Sequence, residues 1–138
     1  MALQTITKDI LTRTSGAALL NLPYDISFLA GYDSETEGED ITARKYGELV
    51  MARPGTFVGE VGYADTAPSG NALIIDVQKN GSTIYSTKPQ FLNSQTLTTA
   101  GVISVTTFIS GDRITFKINQ IGSSAAGRGL RFMLKCKV

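Results

Sequence analysis

The chain has 138 residues, with 13 Lys and Arg against 12 Asp and Glu for a formal net charge of +1, so no global field favours nucleic acid or an anionic membrane. Histidine is absent, which rules out Ser-His and Cys-His nucleophile arrangements and removes the commonest transition-metal ligand; the one cysteine, Cys136, can form neither an intrachain disulfide nor a multi-cysteine zinc site. The length suits one domain with a real core, no apolar run approaches the roughly 18 residues of a membrane helix, and no leader pattern opens the sequence. The expectation is a soluble, unprocessed protein that is not an enzyme and takes no cofactor.

Residues 1–23 read as an arm attached to a domain spanning residues 24–138. Within the arm, Ile6, Ile10 and Leu11 after Thr5 or Thr7 can form a short N-capped helix, or the whole segment can be a leader without fixed structure. A third reading makes Leu19, Leu20 and Leu22 an apolar contact that orders against a partner. Residues 24–29 then alternate, with Tyr24, Ile26 and Phe28 on one side and Asp25 and Ser27 on the other, which predicts a half-buried strand.

The next run is the most acidic in the chain: Asp33, Glu35, Glu37, Glu39 and Asp40 place five carboxylates within eight residues. Hard cations take several oxygens from one loop, which raises a calcium site, but the spacing lacks the alternating acids and closing bidentate Glu of an EF-hand. A solvated loop and an ionic contact to a neighbouring subunit are the other readings. Residues 41–51 predict a strand pair or one strand bent at Gly47, since an isolated strand glycine marks a bulge or close backbone approach. In residues 56–64 a period of two places Phe57, Gly59, Val61 and Tyr63 on one face, with Gly59 and Gly62 leaving room for a bulge.

Residues 72–79 are apolar at Leu73, Ile74, Ile75 and Val77, the signature of a strand covered on both faces and central in its sheet. Asn80-Gly81 follows directly, the dipeptide of a type I′ hairpin turn, so a second strand is expected to return through Ser82. Residues 93–101 form a polar Thr- and Ser-rich loop or edge, and Ser110-Gly111 between residues 102–109 and 112–120 is a second hairpin signal. Ile114, Phe116 and Ile118 face one way along the latter strand; in the last one Leu130, Phe132, Leu134 and Cys136 face inward and Arg131, Lys135 and Lys137 outward. The glycine-rich run 122–129 has no phosphate-loop spacing.

Eight or nine such strands with short turns predict an all-β fold, a single antiparallel β-sandwich of jelly-roll-like winding with a short N-terminal arm, a closed barrel being second choice. Charge is uneven: no acid follows Asp112, while Lys117, Arg128, Arg131, Lys135 and Lys137 are basic. Either this polarity balances within the fold, or the acidic loop meets Arg131, Lys135 and Lys137 of a neighbouring subunit in a ring.

The series YDISFLAG, YGELVMARPGTFVGEVGYADTAPSGNALIIDVQKNGSTIYSTKP and GDRITFKINQIGSSAAGRGLRF resembles a β-sandwich of tailed-bacteriophage structural proteins, over residues 24–132. In that group a turn like TAPSG, a strand like LIIDVQKNG and a late segment like GDRITFKINQIGS recur in this order. Such domains occur as capsid decoration or cement proteins and as modules of tail fibres and other adhesins. The resemblance therefore implies a virion component. One compact domain with a short arm is the layout of a decoration protein that binds the outside of the phage head, contacts the major capsid protein, forms a homotrimer and anchors through Leu19, Leu20 and Leu22. The alternative it implies is a tail-fibre or head-fibre module recognising a host surface glycan. With no Trp, Tyr32, Tyr46 and Tyr63 are the stacking platforms at hand for that role.

Overall fold

The computed structural model describes residues 22–34 and 38–138; the expected short helix, Leu19, Leu20, Glu35 and Glu37 lie outside the described residues. Within them the chain is built from antiparallel strands. The long ones are β1 (Ile26–Ala30), β2 (Lys45–Val50), β3 (Gly55–Thr66), β4 (Leu73–Lys79), β10 (Arg113–Gln120) and β11 (Arg128–Lys137). Between β4 and β10 lie short pieces: β5 (Ser82–Thr83), β6 (Tyr85–Thr87), β7 (Gln90–Phe91), β8 (Val102–Ile103) and β9 (Thr107–Phe108).

One sheet has the order β1-β11-β3-β9; the other runs β2-β10-β4-β5, with β7 also on β4, and β6 and β8 form a small ribbon of their own. The two larger sheets share one core. Phe28 of the first stacks on Phe116 of the second, ring centroids 4.7 Å apart and planes 14° apart, and Phe132 meets the same ring at 5.4 Å. Fully burying a ring of this kind is worth about 1.5–3 kcal/mol. The inward residues of three strands are those the alternation predicts: Ile26 and Phe28; Ile114, Phe116 and Ile118; Leu130, Phe132, Leu134 and Cys136.

The expected turn at Asn80-Gly81 is present, with φ of 52° and 90°, and β4 is interior to its sheet as its apolar run implies. The expected bulge at Gly47 is also there, because the register between β10 and β2 steps from Phe116 opposite Gly47 to Lys117 opposite Lys45. A Cβ at Gly47 would stand 3.7 Å from the Phe28 ring, an ordinary contact, so the ring lies directly beneath this backbone.

Three expectations are corrected. In β3 the register against β11 shifts between Lys135 and Cys136, so Phe57 points inward but Val61 and Tyr63 point outward, and Glu60, Gly62 and Ala64 take the buried side. One extra residue in a strand reverses the facing of all that follow. The return strand after Asn80-Gly81 pairs for only two residues, after which Tyr85–Thr87 leaves to pair with β8. Finally, Ser110-Gly111 closes no hairpin: β9 lies beside β3 in one sheet and β10 between β2 and β4 in the other, so this turn carries the chain between layers.

Candidate docking surface

The bulge in β3 has a chemical consequence on the outside of the first sheet. Across its outer face, register aligns Ser27, Met133 and Val61 in one row and Leu29, Arg131 and Tyr63 in the next, with Leu97 bridged to Tyr63. Leu29 is 56% exposed, Val61 52% and Leu97 62%. Val61 and Leu97, together with Tyr63 and Met133, border a shallow hollow of about 230 Å³ floored by Gly62 and Phe132, and Leu29 lies in the next row of the same face. An apolar field of this kind on a sheet already packed on its other side is unusual for a surface that meets only water.

Polar groups frame it. The Arg131 guanidinium donates to Asp65 at 2.7 Å and lies 5.5 Å from the Tyr32 ring centroid, and the Tyr32 hydroxyl donates to the other Asp65 oxygen at 2.9 Å. These two donors, Arg131 foremost, hold the Asp65 carboxyl below its ordinary pKa. Further along β11, Lys135 and Lys137 are exposed and make no ion pair among the described residues. The same end of β11 receives the start of the described chain: Leu22 and Val138 exchange backbone hydrogen bonds of 3.1 and 2.9 Å, and Tyr24 N–H donates to the Cys136 carbonyl at 2.9 Å. Leu22 itself is 58% exposed at the end of this sheet, but the register that pairs Pro23 with Lys137 gives Leu22 the facing of Ile26 and Phe28, away from the two lysines and the apolar field.

The described part of the acidic loop is occupied within the chain. Asp33 pairs with Arg44 at 2.7 Å and Asp40 with Arg128 at 2.8 Å, while Glu39 accepts the backbone N–H groups of Asp33 and Ser34. Among the described residues no three His, Cys, Asp or Glu side chains come together as a metal cluster. Of the three tyrosines, Tyr32 is engaged as above, and Tyr46 lies under Arg44 at 4.0 Å and tilts against Phe116; Tyr63 alone stands on the open face. Sequence reasoning missed Leu29, Val61, Leu97 and Met133, because an outward apolar residue is visible as such only once the strand's phase is known. Neither a protein-family model nor a curated protein matches this chain.

Proposed function

We propose that the protein is a virion structural protein, a decoration or cement protein that binds the outside of a phage head and stabilises contacts between subunits of the major capsid protein. The observation that carries this reading is the apolar outer face of the β1-β11-β3 sheet, which continues into the basic end of β11 at Lys135 and Lys137. It supplies what a cementing contact needs: an apolar centre with a charged rim, able to bury the roughly 1,000 Å² of a stable interface without chemistry. The order β1-β11-β3-β9 facing β2-β10-β4-β5, with β1 to β4 alternating between layers, supports a jelly-roll winding. Leu19, Leu20 and Leu22 act as the arm's anchor, Lys135 and Lys137 lie at subunit contacts, and the assembled form is a homotrimer.

Heads assembled without the protein test this. The unaltered chain co-sediments with them; V61K/M133K, which places charge in the outward hollow, binds roughly tenfold or more weakly while its thermal unfolding is unchanged. Removing residues 1–21 likewise loses binding and leaves the sandwich folded, since the described backbone pairing begins at Leu22. Wild-type binding by V61K/M133K, or an image of the particle that places the chain on the tail, overturns the reading.

A further inference from the structure

The opposite sheet carries a different surface. On its outer face β10 presents Arg113, Thr115 and Lys117 in alternation; Thr115 lies directly between Glu48 of β2 and Gln78 of β4. Lys45 from β2 and Gly81 from the hairpin turn complete a groove of about 330 Å³. Its floor is built: Thr115 is 7% exposed and its hydroxyl donates to Glu48 Oε2 at 2.9 Å, the same oxygen that receives Lys45 Nζ at 2.5 Å. Gln78 is fixed by donating to the buried Asp76, its neighbour on the same face of β4, at 3.1 Å, which leaves its carbonyl oxygen for other partners. Arg113 and Lys117 make no ion pair or side-chain hydrogen bond among the described residues, so two cations stand roughly 13 Å apart along the strand, counted at about 3.3 Å per residue.

We infer that this groove binds an acidic saccharide, a sugar unit or short run of units bearing carboxylate or sulfate groups. Arg113 and Lys117 take the anionic groups, Arg113 with a planar fork suited to a carboxylate or sulfate. Glu48 Oε1 and the Gln78 carbonyl accept hydroxyl hydrogens, which a bare oxyanion does not possess. That pairing of cations with acceptors selects among anions. A nucleic acid strand is disfavoured, since its run of phosphates calls for many cations and the groove offers two on a chain whose formal charge is only +1. The volume lies at the lower end of small-ligand sites, in keeping with one or two sugar units. Because the groove lies on the sheet opposite the apolar face, it is open while that face is covered; the inference does not depend on what the protein docks to.

The test uses the whole chain in solution, titrated calorimetrically with a galacturonate tetramer, its neutral methyl ester, a sulfated oligosaccharide and sodium sulfate. At least one of the two acidic oligosaccharides binds, with affinity falling as salt rises; the methyl ester and free sulfate bind at least tenfold more weakly. R113A and K117A each lower affinity about tenfold and R113E/K117E abolishes it. The altered side chains at 113 and 117 are exposed, and an unchanged unfolding temperature for R113E/K117E shows that the fold is kept. Equal binding by R113E/K117E, equal binding of the neutral ester, sulfate binding as tightly as the oligosaccharides, or no binding of either acidic oligosaccharide overturns the inference.

Discussion

Glu60 is a carboxylate turned into the core by the bulge at Gly59, only 7% exposed, and its two oxygens are both used. One accepts the Tyr85 hydroxyl at 3.1 Å and the other the backbone N–H of Gly101 at 2.6 Å, so a single side chain ties the β6–β8 ribbon to β3. Burial first, and then the Glu60 charge, push the Tyr85 phenol far above its ordinary pKa, so it remains a donor throughout the working range of the protein. Glu60→Ala strands both donors in a water-poor site and is expected to cost about 2–3 kcal/mol. Urea unfolding reads this directly, and a loss below about 0.5 kcal/mol rejects the tie. Cys136 is a simpler case. It is 2% exposed and its thiol is pushed up to about 12, chiefly by burial, which leaves it a small apolar side chain rather than a nucleophile.

At the scale of elements, two glycines separate two ways in which a strand end depends on having no side chain. Gly81 has φ of +90° and open space around its missing Cβ, so replacing it by Ala strains the backbone and nothing else. Gly55, at the start of β3, would place a Cβ 2.2 Å from the Lys137 carbonyl and 2.6 Å from the Phe108 ring, where β9, β3 and the end of β11 converge. Gly81→Ala is therefore expected to cost about 1–2 kcal/mol, and Gly55→Ala more, because two backbones and a buried ring must move apart. Thermal unfolding of the pair gives the order, and a larger effect at Gly81 contradicts it. The Asn80-Gly81 turn gains a further clamp from Asp112: Asn80 donates to one of its oxygens at 2.9 Å and the Ile109 backbone N–H to the other at 2.9 Å. One carboxylate thereby ties the β4–β5 turn to the crossing that carries the chain from β9 to β10.

For the whole molecule the carboxylates set a pH limit. Asp112 is held below its ordinary value of 3.8 by the Ile109 backbone N–H and by Asn80, Asp65 below 3.8 by Arg131 and Tyr32, and Glu48 below 4.5 by Lys45 and Thr115. Each is more acidic folded than unfolded, so the folded state binds fewer protons. The stability they contribute is full above the ordinary carboxylate range and is lost as pH falls through it toward the lower folded values. The unfolding temperature is expected to be level above about pH 5 and to decline below about pH 4, with D65N/D112N showing a shallower decline from a lower plateau. An unfolding temperature that stays constant down to about pH 2.5 contradicts this. The apolar face of one sheet and the polar groove of the other lie on opposite sides of the core.

Much of this was legible from local pattern alone. Alternation marked the inward faces of β1, β10 and β11, and turn chemistry marked Asn80-Gly81, because side-chain period and φ preference are properties of a few adjacent residues. The acidic loop and the basic C-terminal third were plain in the sequence, but their partners were not: Asp33 went to Arg44, Asp40 to Arg128 and Arg131 to Asp65. Only the tertiary structure decided that Val61 and Tyr63 face outward, that Glu60 is buried, and that Ser110-Gly111 joins two sheets instead of closing a hairpin. The reason is physical: a bulge is an offset between a strand and its neighbour, and the neighbours of β3 and β10 come from distant parts of the chain. An alternating sequence reads the same on either side of such a shift. Both surfaces depend on it or on the same distant pairing, since the apolar field takes side chains from β1, β11 and β3, and the groove takes them from β2, β10 and β4.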